Sequence, residues 1–228
     1  MTAWPPGRWH AEALRPLTGR GVRVVVIDSG VHVSHPHIAH LVTRGIQFSP
    51  TGQAGDDWSD RLGHGTAVTA AILEKAPAAE VLAVRVFDRQ LSTSVDALAA
   101  GIEWAIGARA DLINLSLGTA RPEHLTRLSA AVTAAVHAGA TIVAAGDDGT
   151  QAWLPGTLPG AIGVTLDWTL ERHELCISAD GAVRAAGYPR PIPGVAADRN
   201  VRGLSFAVAN ATGVLALLCE RMRDSLLH

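Results

Sequence analysis

The stretch of sequence that determines the fold is V-R-V-V-V-I-D-S-G at residues 22–30. Residues 24–27 are β-branched without polar alternation, which predicts a strand buried on both faces, as in a parallel sheet. The apolar run stops at Asp28, so a carboxylate stands where the strand ends. Because sites in open α/β sheets lie at the carboxyl ends of the strands, we expect Asp28 to belong to a functional site.

Four further apolar runs have the same character. They lie at residues 81–86, 112–117, 141–145 and 161–166. Helical patterns separate several of them, and alternation of this kind predicts right-handed βαβ units. The sequence therefore predicts an α/β fold in which helices cover both faces of a mainly parallel sheet.

Local signals place the helices. Ser94 is a predicted N-cap, and Pro122 and Gly139 are predicted to open and end a helix with Leu125 on its inward face. Two other helical patterns cover residues 63–75 and a long apolar segment from 205 to about 223. The second of these indicates a core helix near the end of the chain.

Composition excludes several classes of protein. The 228 residues are 48% hydrophobic and 18% charged, which predicts a packed domain rather than a disordered chain. A formal net charge of -2 without long runs of one sign disfavours binding to nucleic acid or anionic membrane. The sequence has no run of 18 consecutive apolar residues, so no membrane span is predicted. Cys176 and Cys219 are interpreted as two thiols, and with no signal-peptide pattern at the start we expect the cytoplasm.

Three residues in separate segments together suggest nucleophilic catalysis. A serine hydroxyl needs an adjacent base that is itself oriented by a third group. Asp28 ends a buried strand, His64 stands in G-H-G-T at the start of a helix, and Ser205 stands in G-L-S where another helix begins. Taken singly, each has a structural interpretation as a turn aspartate, a capping histidine or an N-cap serine. Their combination is what favours catalysis.

The segments around these residues resemble the motifs of the subtilisin-like serine proteases, or subtilases. V-I-D-S-G-V at 26–31, G-H-G-T-A-V at 63–68 and G-L-S-F-A at 203–207 are similar to the aspartate, histidine and serine motifs of that family. Their chain order is also that of the family. I-N-L-S-L-G at 113–118 resembles its substrate-binding strand. The resemblance covers nearly the whole chain.

The resemblance implies a three-layer α/β/α catalytic domain at 19–228, preceded by an N-terminal extension at 1–18. It implies peptide-bond hydrolysis through an acyl-enzyme, in which Ser205 attacks, His64 transfers the proton and Asp28 orients His64. The substrate would be a peptide or protein chain, bound as an added strand. The residues that would bind it are Leu115, Ser116, Leu117, Gly118, Ala145 and Gly146.

The sequence also departs from the family pattern. In A-A-G-D-D-G at 144–149, Asp147 stands where the family usually has an asparagine that donates a hydrogen bond to the oxyanion. An ionised Asp147 cannot donate, whereas a protonated one can. Asp147 is nevertheless a fourth predicted catalytic residue. Asp148 has two interpretations, a residue that favours a basic substrate side chain and a solvated turn aspartate. Trp153 is expected to narrow or cover the pocket before the scissile bond, and Ala67 replaces a second histidine of the family motif.

No cofactor and no metal site are predicted, because the histidines at 32, 35, 37 and 40 lack a clear ligand geometry. Three functions therefore stand side by side. The first is a selective endopeptidase for peptides or precursors, and the second is a catalytically silent protein that binds peptides. The third is an acyl-transfer enzyme, such as a ligase or macrocyclase, that uses the same acyl-enzyme.

Overall fold

A ten-stranded sheet forms the centre of the computed structural model, which describes residues 4–38, 41–42, 44–147, 149–196 and 200–226. Its strand order is β1-β9-β10-β8-β7-β6-β2-β5-β3-β4. The strands are β1 Gly7–His10, β2 Arg23–Asp28, β3 Gly45–Phe48, β4 Ala54–Gly55, β5 Glu80–Arg85, β6 Leu112–Leu115, β7 Thr141–Ala145, β8 Ala161–Leu166, β9 Glu174–Ile177 and β10 Val183–Ala185.

The five predicted strands are neighbours in the middle of this sheet. They form β8, β7, β6, β2 and β5, and every pair among them is parallel. The strand predicted at 112–117 ends at Leu115, so Ser116 and the residues after it lie beyond the sheet. The parallel core and the position of its carboxyl edge are thus confirmed.

Four α-helices cover the two faces of the sheet: α1 His64–Lys75, α2 Val95–Gly107, α3 Leu125–His137 and α4 Leu204–Leu226. Val24 and Val26 of β2 pack in the same cluster as α1 and α4. Val25 and Ile27 point the other way and pack with α2 and α3. This period of two along a strand divides the core into two layers and confirms the three-layer architecture.

The predicted helix signals also have their expected roles, with one exception. The Ser94 hydroxyl accepts a hydrogen bond from Ala97 N at 3.0 Å and caps α2. A 3₁₀ turn at Pro122–His124 precedes α3, and Gly139 takes a positive φ of 79° just after it. The prediction that Leu125 faces inward is wrong. This side chain is the first of α3 and is 47% exposed, because the apolar stripe begins one turn later.

Four residues of the segment predicted as an N-terminal extension, Gly7–His10, form strand β1 of the sheet. β1 pairs antiparallel with β9, with Trp9 opposite Leu175. The Arg8 guanidinium donates to both carboxylate oxygens of Glu174, at 2.9 and 2.8 Å. These contacts make β1 an edge strand of the domain.

The helix α4 is the apolar centre of one layer. Residues Leu204–Ser225 are long and apolar enough to cross a membrane by length and composition, but 72% of the most apolar window is buried in the protein. That burial is what a core helix shows. Cys219 on this helix and Cys176 on β9 are free thiols, as predicted, and burial raises the pKa of Cys219 to about 12.

Lys75, the only lysine in the sequence, is buried at the end of α1. Its Nζ donates to Ala71 O at 3.1 Å and to Glu74 Oε2 at 3.2 Å, and Glu74 also pairs with Arg172 at 2.9 Å. A Cβ on Gly213 of α4 would lie 3.0 Å from Lys75 Cδ, so the helix packs directly on the lysine stem. Burial outweighs the charge of Glu74 and lowers the pKa of Lys75 to about 8.

We predict that the free energy of unfolding rises with pH above about 8, because the unfolded chain then holds the Lys75 proton that the folded chain releases. The rise ends near the ordinary lysine pKa of 10.5. Lys75→Met keeps the stem without the charge and should remove this rise. Urea unfolding of both proteins at several pH values measures it. An equal rise in the variant would show that Lys75 is not the titrating group.

Candidate active site

Close backbone contact brings the end of β2 and the start of α1 together. A Cβ on Gly65 would lie only 2.2 Å from Gly30 O, so this approach requires glycine at position 65. Gly63 precedes the helix with a φ of 81°. As a result His64 Nδ1 lies 2.8 Å from Asp28 Oδ1 and 3.0 Å from Asp28 Oδ2.

Asp28 and His64 form a pair suited to base catalysis. Asp28 is fully buried, and Oδ1 also accepts a hydrogen bond from Ser29 N at 2.7 Å. Burial acts against charge on His64, but the hydrogen bond to Asp28 and the Asp28 charge outweigh it, so the pKa of His64 is raised above 6.5. With Nδ1 donating to Asp28, Nε2 of the neutral ring is free to accept a proton.

Ser205 is the second residue of α4 and shares a cavity with His64. Its hydroxyl donates to Ser116 O at 3.0 Å, and the Ser116 hydroxyl donates to Ser205 O at 2.8 Å. This reciprocal pair joins the start of α4 to the end of β6. Before His64 can take its proton, the Ser205 hydroxyl has to exchange the bond to Ser116 for one to Nε2.

The shared cavity has a volume of about 400 Å³ and forms an open groove. Of the predicted substrate-binding residues, Ser116, Leu117 and Gly118 line it. Leu115 does not, because it is a fully buried residue of β6. Residues 91–95 and Leu98 also line this cavity.

Ala145 and Gly146 are covered by protein. A Cβ on Gly156 would lie 1.9 Å from Ala145 O, and Gly146 N already donates to Val164 O at 3.0 Å. Neither residue lines the cavity that His64 and Ser205 share. Pairing of a substrate strand with them stays a prediction that this geometry does not favour.

Asp147 is exposed at the end of β7, and its carboxylate stabilises its own loop. Oδ1 accepts a hydrogen bond from Gly149 N at 2.8 Å, and Asp147 forms a β-bridge with Ala152. Thr165 Oγ1 donates to Asp147 O at 3.0 Å. A role toward an oxyanion stays a prediction, and Asp148 lies outside the described residues.

Trp153 lies against the substrate-binding segment. A Cβ on Gly118 would be 3.0 Å from Trp153 Cβ, and Thr119 and Leu154 exchange two backbone hydrogen bonds of 2.9 Å. The segment that carries Trp153 thus pairs with the chain just after Gly118. The predicted position of Trp153 beside this part of the site is in accord with these contacts.

Asp60, which sequence reasoning missed, organises the loop before His64. Its carboxylate accepts hydrogen bonds from Ser29 Oγ, Leu62 N, Gly63 N, Thr66 N and Thr66 Oγ1, at 2.5–2.9 Å. Burial opposes its charge, but these donors outweigh burial and lower the pKa of Asp60. The signal in the sequence was an aspartate a few residues before a helix whose first residues include no acidic cap.

Asp60 is linked to both Asp28 and His64. Ser29, which donates to Asp60, follows Asp28 and accepts a hydrogen bond from Gly65 N at 2.9 Å. The Asp60 charge also contributes to the raised pKa of His64. We therefore assign Asp60 as a positioning residue for His64.

We predict that Asp60→Asn lowers the pKa of His64, because one of the charges that favour the imidazolium is removed. Histidine NMR titration of the folded protein measures this pKa. Asp57→Asn is the matched control, since Asp57 is a nearby exposed aspartate and is not among the causes of the His64 shift. Equal titration curves for His64 in wild type and Asp60→Asn would contradict the assignment.

Comparison with known proteins relates this site to one family. Residues 19–226 match the pattern of the subtilase family. The chain is 33% identical over 228 residues to a thermostable alkaline protease of Halalkalibacterium halodurans, covering 91% of this chain and 59% of the relative. It is 31% identical over 227 residues to subtilisin E of Bacillus subtilis, covering 90% and 57%. For subtilisin Savinase of Lederbergia lenta the values are 32% over 222 residues, 92% and 78%. The chain spans less than two thirds of the first two relatives.

Proposed function

The chain belongs to the subtilase family, and on that premise we propose that it is a serine endopeptidase that hydrolyses peptide bonds through an acyl-enzyme on Ser205. The observation that carries the proposal is the hydrogen bond from His64 to fully buried Asp28, next to Ser205 in an open groove. A base oriented in this way is what an unactivated hydroxyl requires.

Each residue has one task in the proposed reaction. Ser205 Oγ attacks the peptide carbonyl carbon while its proton moves to His64 Nε2, and Asp28 stabilises the imidazolium. The C–N bond then breaks as His64 returns the proton to the leaving amine. Water, deprotonated by His64, attacks the acyl-enzyme carbonyl carbon. The C–Oγ ester bond then breaks, His64 returns the proton to Ser205 Oγ, and the acid leaves. The positive end of the α4 dipole, at Ser205, favours the oxyanion.

The proposed enzyme is selective for peptides or precursors. Trp153 packs against Gly118, which lines the groove, and we place the indole beside the side chain that precedes the scissile bond. We infer a preference for small side chains there. The two free thiols support a reducing, cytoplasmic location.

Product masses test the proposal. Incubation with a mixture of peptides in H₂¹⁸O should give new carboxyl termini that carry ¹⁸O, and Ser205→Ala should give none. Ligated or cyclic products without ¹⁸O would instead indicate acyl transfer. Intact peptides that remain bound to folded wild type would indicate the silent peptide-binding alternative.

We predict that Asp147→Asn raises kcat by about tenfold or more, because an amide can donate to the oxyanion where a carboxylate repels it; one such donor contributes about 10²–10³ in kcat, a value measured within this family. Asp180→Asn is the matched control, since its carboxylate accepts from Ala182 N, two residues on, as Asp147 does from Gly149 N. If kcat of Asp147→Asn equals that of wild type, residue 147 does not interact with the oxyanion.

We predict that Trp153→Ala shifts the preference before the scissile bond from alanine toward leucine and phenylalanine. The indole is the bulky group against Gly118, so its removal opens space for a larger side chain. The ratio of kcat/KM for leucine and alanine peptides should rise by about tenfold. Trp153→Phe keeps an aromatic ring there and should change the ratio little. An unchanged ratio in Trp153→Ala would contradict the inferred preference.

A further inference from the structure

A second cavity, of about 270 Å³, lies beside the Gly63-His64 turn and takes no part in the mechanism above. We call it the histidine cavity. Short side chains of α1, Ala67 and Ala70, leave room for it on one side, and residues 189, 190 and 192 line another. Residues that line it include His32, His35, His37, Ala67, Arg190 and Ile192.

Arg190 gives the histidine cavity a permanent positive charge. The side chain is half-buried, and its Nη1 donates to His37 O at 3.5 Å. Within the part of the chain that the structure describes, no carboxylate lies within ion-pair distance of Arg190. Asp60 lines the same cavity, but its oxygens already accept five hydrogen bonds. Among the described residues the Arg190 guanidinium thus has no ion-pair partner, and the carboxylate of the lining, that of Asp60, is held by other donors.

The imidazoles add hydrogen-bond donors to this charge. His37 N donates to His35 Nδ1 at 3.2 Å, so the hydrogen of neutral His35 is on Nε2. The two rings lie edge to face, with centroids 5.1 Å apart. Burial and the positive charge of Arg190 lower the pKa of His37, which disfavours the protonated ring. These donors and two guanidiniums, of Arg190 and Arg61, face one carboxylate, that of Asp60, whose oxygens are already hydrogen-bonded, and such a set suits an oxyanion.

The remaining wall is apolar and selects the body of the ligand. Ala67, Ala70, Pro189 and Ile192 line it, and Ile192 is 41% exposed at the rim. Apolar walls with a few convergent polar groups are typical of small-ligand sites. A fully hydrated inorganic ion gains no favourable contact with apolar walls, whereas the aliphatic part of a short-chain carboxylate packs against them.

We propose that the histidine cavity binds a carboxylate carried on a short aliphatic chain, with Arg190 as its main partner. One source is an acidic residue in the leaving half of a peptide substrate, and this part rests on the proposed function. The acyl half would lie along Ser116 to Gly118 in the groove that His64 lines, and the adjacent Gly63 lines the histidine cavity. A chain that continues past His64 therefore reaches it. The other source is a free carboxylic acid.

Propionate is the probe for the cavity itself. We expect propionate to shift the resonances of His35 and His37 in a saturable way in the folded wild-type chain. Arg190→Gln should weaken this binding about tenfold or more, and Ala67→Leu should weaken it by filling the space without a change in charge. Arg221→Gln, which removes an exposed arginine that lies over Trp9, should not change it.

Pairs of peptides that differ only in Glu or Gln test whether a substrate supplies the carboxylate that the histidine cavity binds. Three pairs of quenched fluorogenic peptides carry either Glu or Gln at the first, second or third position after the scissile bond. In one of the three pairs kcat/KM should be about tenfold higher for the Glu peptide than for the Gln peptide, or about 1.4 kcal/mol. The ratio should fall to about one in Arg190→Gln and stay unchanged in Arg221→Gln. Labelling of Ser205 by a fluorophosphonate shows separately whether the site is active.

The outcomes are distinct. Propionate binding together with the Glu preference supports the substrate source, and propionate binding with a Glu/Gln ratio of one supports a free acid. Absence of saturable shifts in wild type, or equal shifts in Arg190→Gln, overturns the proposal. If Ser205 is not labelled and no peptide is cut, the proposed function fails while the propionate titration still decides the cavity.

Discussion

The hydrogen bond between Asp28 and His64 is the contact on which the rest of the site depends. It needs a carboxylate at the end of a buried strand and a helix that begins within a few ångströms of it, which only glycine at position 65 permits. A buried charge without a partner is costly, so each group stabilises the other in place. Asp60 then holds the loop that brings His64 there, through five hydrogen bonds to its carboxylate. The position of His64 and the charges that act on it are thus both set by the close packing of β2, the Asp60 loop and the start of α1.

The parallel core could be predicted from the sequence because its signals are local. The apolar runs of the central strands, the Ser94 cap and the Gly139 terminus each depend on a few adjacent residues. All are found near their predicted places, and only the strand from residue 112 ends early, at Leu115. The edge strand at Gly7–His10 was missed because it has no strand pattern of its own and forms by pairing with Glu174–Ile177, far along the chain. Leu125 was misplaced because it is the first residue of its helix, one turn before the buried stripe begins at Leu128.

The same distinction applies to the site. Asp28, His64 and Ser205 were found because each lies in a recognisable motif, and the fold brings them to one edge of the sheet. Asp60 and Arg190 have no such motif. Their importance comes from contacts with distant segments, which include Ser29 for Asp60 and His37 for Arg190. The packing that covers Ala145 and Gly146 could not be predicted for a similar reason, since it depends on Gly156 and on the neighbouring strand β8.

The most direct test of this account is the rate of Ser205 labelling by a fluorophosphonate as a function of pH, followed by intact mass. We predict one adduct on wild type and none on Ser205→Ala. The rate should rise with pH, because the neutral form of His64 accepts the proton, and its midpoint should lie above 6.5, since the pKa of His64 is raised. No adduct on the folded protein at any pH, or a midpoint below 6.5, would contradict the coupling of Asp28, His64 and Ser205.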